Sequence, residues 1–496
     1  MPAPIKNLFV EALGAAGVLD DDETRARHAG GQAYLDLVRR RSGDAADAPD
    51  AVLLPPTTAA VADVLSICSR ERVAVVPWGG GTSVVGGLSA LRGSCESVVA
   101  LDLGRLDRLL AVDPESLTAT FEPGVRTPDA ERALSAHGLT IGHVPQSFER
   151  ATLGGYVVTR SAGQASSGVG RIDDLVVGCR LQTPSGELVL GPVAGSAAGP
   201  DLRRLVLGSE GIFGVVTEVT LRVRRLPDVT HYEGWVARDW DHGLRILRRL
   251  AQDGPRPDIV RLSDPDETRI SMAMSGTAGW QRRALGGYLR LRGVRTGCLL
   301  IVGYEGGRRD VHHRRREVRR VLRADHAVPL GTGAGQSWER HRFAAPYLRD
   351  TLLDAGVLAE TLETATTWTQ LPALYLAVRS ALAAALAHDD RPPLVGCHVS
   401  HLYPTGGSLY FTVLARAVPG NEIEQWSAAK AAANRAIAGA GGTATHHHAV
   451  GTAHQDIVTA DLGGAVGVTA MRAVKAALDP AGIMNPGKLL PGPPDV

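Results

Sequence analysis

Three consecutive histidines, His446-His447-His448, stand near the C-terminal end of a 496-residue chain. Imidazole titrates close to neutrality, so these side chains, together with His143, can carry protons near pH 7. Tyr403, in His401-Leu402-Tyr403 ahead of Gly406-Gly407, supplies a hydroxyl for proton relay. Arg261 in Ile259-Val260-Arg261-Leu262 and Arg349 in Pro346-Tyr347-Leu348-Arg349-Asp350 offer forked donors that match a phosphate or a carboxylate. Each has an ordinary alternative: a surface ion pair for either arginine, half-buried packing for Tyr403, a structural polar network for the triplet. No metal is expected. On an extended strand His446 and His448 would face one side and His447 the other, a poor three-ligand set. His398 and His401 add only HxxH, without a glutamate or third ligand.

Three glycine-bearing segments could hold a cofactor. Pro77-Trp78-Gly79-Gly80-Gly81-Thr82-Ser83 follows a strand-like run, and its unshielded N–H groups and two hydroxyls can cradle a pyrophosphate or make a plain glycine turn. There is no GKS or GKT and no strand-linked GxGxxG, which excludes a P-loop and a dinucleotide fingerprint. The second segment holds Gln146, Ser147, Thr152, Gly154 and Gly155, followed by Thr159-Arg160-Ser161-Ala162. The third holds Glu210, Gly211, Gly214, Val215 and Val216. Small residues beside apolar strands suit close backbone approach to a flat ring.

The elements that must position these residues alternate in type. Helical pieces over residues 1–45 form an N-terminal extension too small for a core. Mixed α and β signals run from 46 to 226, where Arg225-Leu226-Pro227-Asp228 breaks the pattern. A second α+β unit covers 227–440, and 441–496 is a C-terminal segment. The run His312 to Arg320 reads as a solvated helix face. At 496 residues, with 44% hydrophobic and 21% charged side chains, the chain is a folded multi-domain protein rather than a disordered or fibrous one. A net charge of +1 gives no global pull toward nucleic acid. Four lysines leave arginine as nearly all of the 53 cations, a sign of nucleotide bias. Five scattered cysteines without CxxC suggest reduced cytosolic thiols. The N-terminal apolar stretch is interrupted by Glu11, so no signal peptide is expected, and no run is long enough to span a bilayer.

Taken in order, the three glycine segments resemble the flavin-binding runs of FAD-linked oxidases of the vanillyl-alcohol oxidase type. Ile483-Met484-Asn485-Pro486-Gly487-Lys488 is similar to the C-terminal flavin-side segment of that family. Within it, the Arg261, Arg349, Tyr403 and triplet motifs resemble the alkyldihydroxyacetonephosphate synthases, over roughly Val52 to Leu490. Thr452-Ala453 stands where those enzymes commonly carry a basic residue. The resemblance implies an α+β fold: a vanillyl-alcohol oxidase type FAD-binding domain, a mixed α/β cap, and a C-terminal segment returning to the flavin. It implies substrate binding by Arg349, catalysis by Tyr403, His446, His447, His448 and Arg261, and FAD contacts from the glycine segments and Asn485; His143, from its chemistry, is a further candidate on the substrate side. No tethering histidine accompanies Trp78-Gly79, so FAD is expected to be noncovalent. The implied reaction exchanges the acyl chain of 1-acyl-dihydroxyacetone phosphate for a long-chain alcohol through a flavin N5 adduct, without net redox change, as in ether-lipid synthesis. A homodimer is implied, cytoplasmic, with peripheral membrane contact and no nucleic-acid partner. The alternative is an FAD-dependent oxidoreductase dehydrogenating a 2-hydroxy acid or a secondary-metabolite alcohol, with Arg349 on a carboxylate and a triplet histidine as base.

Overall fold

The computed structural model describes residues 1–254, 256–274, 279–343, 345–388 and 391–492. The chain divides into two compact units, one built from residues 1–162, 171–225 and the stretch from His447 onward, the other from 163–170 and 226–446. The chain therefore leaves the second unit between His446 and His447, inside the triplet, rather than at residue 440.

The first unit contains two main sheets. One has four strands in the order Val18–Leu19, Ala51–Leu53, Ser97–Asp102 and Val73–Trp78, with the last three parallel. Their continuous apolar runs suit burial on both faces. The crossover helix Thr58–Glu71 starts at Thr57, whose hydroxyl accepts the Ala60 N–H at 3.2 Å. The other sheet is antiparallel, in the order Leu109–Asp113, Thr118–Phe121, Val215–Arg222, Val176–Thr183 and Gly186–Leu190. The N-terminal residues differ from expectation, because they join a core instead of extending from it. Phe9 and Leu13 lie one turn apart on the helix Ala3–Leu13 and bury a common face, and Val18–Leu19 adds an edge to Ala51–Leu53.

The second unit is organised on a seven-stranded antiparallel sheet. Its order is Val328–Gly331, Val229–Ala237, Cys298–Gly306, Ile259–Ser263, Leu394–Val399, Gly406–Arg416 and Val357–Thr367. The helix Trp240–Gln252 is capped by Asp239, which accepts the His242 N–H at 2.8 Å. The arginine-rich helix Arg308–Ala324 buries Val311, Val318 and Leu322. Its cations are not all solvated: Arg314 reaches buried Asp258 at 2.7 Å and Arg315 pairs with buried Glu233, because a buried carboxylate needs a partner.

All five cysteines are buried and free. Burial pushes the Cys179 thiol up to about 11 and the Cys298 thiol to about 12. No helix among the described residues is long and apolar enough to cross a membrane.

Candidate active site

In the second unit, strand register collects polar side chains on one face of the sheet. Ser263 stands opposite His398, His398 opposite Tyr410, and Tyr410 opposite Glu363. Arg261, two residues before Ser263, shares that face. Glu267, from the helix Pro265–Met274, pairs with Arg261 and lies 3.1 Å from His398 Nδ1. Burial alone would raise this carboxyl, but Arg261 and His398 outweigh it and hold it at about 2. The His398 ring stacks on Tyr410 at 4.8 Å, and burial pushes the Tyr410 hydroxyl up to about 12. Glu360, Glu363 and Arg261 all act on that hydroxyl. Arg349 reaches Glu360 at 3.7 Å, so both arginines belong to one cluster and each already faces a buried acid. That differs from the expectation of fixed cations awaiting an anion.

At the end of the same sheet, Tyr403 sits in the hairpin before Gly406–Arg416. Its N–H donates to the Gly406 carbonyl at 2.9 Å, and its own carbonyl accepts from Trp368 Nε1 at 3.2 Å. Only glycine fits at 406, where a Cβ would stand 2.0 Å from the Thr366 carbonyl oxygen. So placed, Tyr403 Oη lies 2.6 Å from His446 Nε2. His446 is fixed from two further sides. The Glu363 carboxylate, 1% exposed, accepts the His446 N–H and the Thr445 hydroxyl, each at 2.6 Å. His401 stacks on the His446 ring at 4.8 Å, its Nδ1 2.6 Å from Ser166 Oγ. A phenol hydrogen-bonded to a held imidazole can give up its proton and take it back, which is general acid and base chemistry.

In the first unit the glycine segments meet at Gly79 to Gly81. A Cβ on Gly79 would stand 2.4 Å from Thr152 Oγ1, and one on Gly80 2.0 Å from the Arg150 carbonyl oxygen. One on Gly211 would stand 2.9 Å from Pro77. Among the described residues, the N–H groups of Gly79, Gly80, Gly81 and Thr82 donate to no acceptor. Such a row of free amides after a strand fits a pyrophosphate. His143 Nδ1, Ser209 Oγ and Asn485 Oδ1 are buried polar atoms without a partner in the same unit. This donor set fits FAD, with the glycine loop for its phosphates and polar groups to spare.

Several of the expected site residues make structural contacts. Arg160 is the left-handed C-cap of the helix Leu153–Thr159, and its guanidinium binds Asp173 at 2.8 and 2.5 Å. Val215 and Val216 point into apolar cores. Thr159 donates to the Gly155 carbonyl at 2.8 Å, and the Ser147 carbonyl closes a turn. Glu210 turns both carboxylate oxygens to backbone amides, those of Val450 at 2.8 Å and Gly451 at 2.7 Å. His143 does not carry a proton near pH 7: burial, helped by Arg171, lowers it to about 3, with Nε2 3.0 Å from Ser161 Oγ. The triplet lies in a bend rather than on a strand, and the His447 and His448 rings are 4.7 Å apart, edge to face. The alternation argument against a metal therefore does not apply to it.

No sequence motif singles out Glu267, Glu363 or Ser166. Both glutamates had a visible signal, since charged residues between apolar positions of a buried strand or helix start require partners.

Comparison with known proteins gives the family. Residues 226–489 match the family of FAD linked oxidases, C-terminal domain, and residues 49–190 match the FAD binding domain family. An alkyldihydroxyacetonephosphate synthase of Trypanosoma brucei brucei is 34% identical, over 99% of this chain and 82% of its own. One from Dictyostelium discoideum is 31% identical, over 95% of this chain and 78% of its own. A solved alkyldihydroxyacetonephosphate synthase structure superposes with a TM-score of 0.84 at 28% identity, covering 99% of this chain and 86% of that one. The chain is an FAD-dependent enzyme, and it belongs to the alkyldihydroxyacetonephosphate synthase family of FAD-linked oxidases.

Proposed function

We propose that the protein exchanges the acyl chain of 1-acyl-dihydroxyacetone phosphate for a long-chain alcohol, releasing a fatty acid and leaving no net redox change. The observation that carries this reading is the Tyr403–His446 contact at 2.6 Å, held by Glu363 and His401. Replacing an acyloxy group by an alkoxy group next to a ketone takes one proton from carbon and later returns one to it, while the proton lost by the incoming alcohol goes to the departing carboxylate. A tyrosine and histidine sharing one hydrogen bond can serve these transfers. Arg349 and Arg261, each held from one side by Glu360 and Glu267, turn their remaining N–H donors to the phosphate. His447 and His448 are further proton carriers for this reaction. Bound FAD supplies the nucleophilic, electron-accepting ring on which the chemistry turns, held noncovalently by the amides of Gly79 to Thr82.

The test is anaerobic mixing of the full chain with acyl substrate and alcohol. The reading expects alkyl product and free fatty acid at a constant flavin oxidation state. Bleaching of the flavin with stoichiometric oxidation of a hydroxy acid or alcohol would replace it with the dehydrogenase reading.

The proposal includes a cytoplasmic homodimer that touches membranes peripherally. The helix Gly279–Leu291 carries exposed Trp280 and Leu291 near Arg283 and Arg290, a composition suited to an anionic bilayer surface. Vesicle flotation and sedimentation check these two points.

A further inference from the structure

We propose that Glu210 is a positioning residue for His447 and His448, acting through the backbone that follows the triplet. This rests on the proton-carrying role given to those histidines above.

The geometry is a two-sided clamp on four consecutive amides. Val450 and Gly451 donate to the two Glu210 oxygens at 2.8 and 2.7 Å. Thr452 and Ala453 donate to the Val85 carbonyl at 2.9 and 3.2 Å, just beyond the glycine loop. The turn is tight: Ala449 and Gly451 have φ of +73° and +52°, and a Cβ on Gly451 would stand 2.0 Å from the Val85 oxygen. Ala449 carries that conformation without glycine's freedom, so the turn persists only because its amides are held. Glu210 is itself at φ +52°, with its N–H on the Val158 carbonyl and its own carbonyl accepting from Asn485 Nδ2 at 2.6 Å. Its backbone is thus fixed by two segments while its side chain holds a third.

A clamp of this kind favours the carboxylate form, because an ionised oxygen accepts an N–H more strongly than the hydroxyl oxygen of a neutral acid does. Burial raises the Glu210 carboxyl to about 7, against the two amides and Lys488, which faces it from the C-terminal segment. Asp36 and Asp47 face Lys488 in turn. Below that pH one of the two oxygens carries the proton, and the amide that faces it is held more weakly. The turn after the triplet then loosens while the glycine loop keeps its own contacts.

The experiment uses the full FAD-loaded chain. Hydrogen exchange is followed by mass spectrometry in a peptide spanning residues 447–453, from pH 5.5 to 8.5, after correction for intrinsic rates. Turnover is measured across the same range. The expected result is a loss of protection as pH falls through about 7, tracked by an acid limb of turnover. Glu210→Gln should show low, pH-independent protection, retained FAD absorbance, and turnover down about tenfold or more at pH 8 with no acid limb near 7, the scale for a displaced acid–base group. Glu210→Asp should restore the pH dependence in part. Wild-type protection unchanged across pH 7 would overturn the proposal. So would a Gln variant that loses the clamp yet keeps wild-type turnover. If the wild type exchanges no acyl chain at all, the proposed function fails, and the exchange measurement still decides whether the clamp exists.

Discussion

Tyr403 and His446 are 43 residues apart in sequence and 2.6 Å apart at their polar atoms. The hairpin that carries Tyr403 and the carboxylate that holds the His446 amide both belong to the seven-stranded sheet, so the contact is set by strand register rather than by a flexible loop.

Tyr403→Phe removes the shared proton and leaves the ring. Turnover should fall by ~10²-fold or more, the scale for a positioned acid or base. Flavin absorbance of the purified variant should equal that of the wild type, which separates a chemical defect from cofactor loss.

Glu363→Ala would leave the Thr445 hydroxyl and the His446 N–H without their acceptor in a buried site. Urea unfolding should report a loss of ~1.5–3 kcal/mol, the range for hydrogen bonds to a charged group. Turnover should fall with it, because His446 is no longer held against Tyr403.

Glu267 gives a signed pH prediction. Its carboxyl is held at about 2, below the ordinary 4.5, so its contribution is fully present above pH 4.5 and is lost as pH falls toward 2. The shift corresponds to roughly 3 kcal/mol at neutral pH. The stability difference between wild type and Glu267→Gln, read from unfolding curves between pH 2 and 7, should be constant above about pH 4.5, shrink below it and be largely gone only near pH 2.

Gly80→Val should abolish FAD retention, because its Cβ meets the Arg150 carbonyl at 2.0 Å and forces two flavin segments apart. The clash is with protein backbone, not with the phosphate. Gly333→Ala is the control: its Cβ meets nothing within 4 Å, in the helix Thr332–His341, and alanine there should add ~0.5–1 kcal/mol of stability. Bound flavin per chain and thermal melting read both.

Arg349→Lys keeps the charge and loses the fork that Glu360 orients. The expected loss is ~1.5–3 kcal/mol in kcat/KM for the acyl substrate. Unchanged kinetics would place Arg349 outside the substrate's reach.

The glycine segments were legible because their chemistry is local: three small residues after an apolar strand advertise exposed amides without reference to any other part of the chain. Tyr403, Arg261, Arg349 and the triplet could each be named from their motifs, yet their partners could not. Glu267 and Glu363 are set by which strands lie side by side, and no spacing reveals that Tyr410 faces Glu363 and His398 at once. Burial, which a sequence does not display, decides whether an imidazole stays neutral, as it does at His143. The bend at the triplet was missed for a related reason. Ala449 at φ +73° is not a residue type that announces a left-handed turn.

The five cysteines have a practical consequence. Every native thiol is buried, and burial keeps the thiolate form scarce at neutral pH. A single cysteine introduced on the surface, at Arg283 for instance, would therefore outcompete all five for a maleimide dye. Wild-type sequence otherwise intact, the enzyme can carry one fluorophore at a chosen point, and its binding to vesicles or to a second chain can be followed by emission without first deleting any native sulfur.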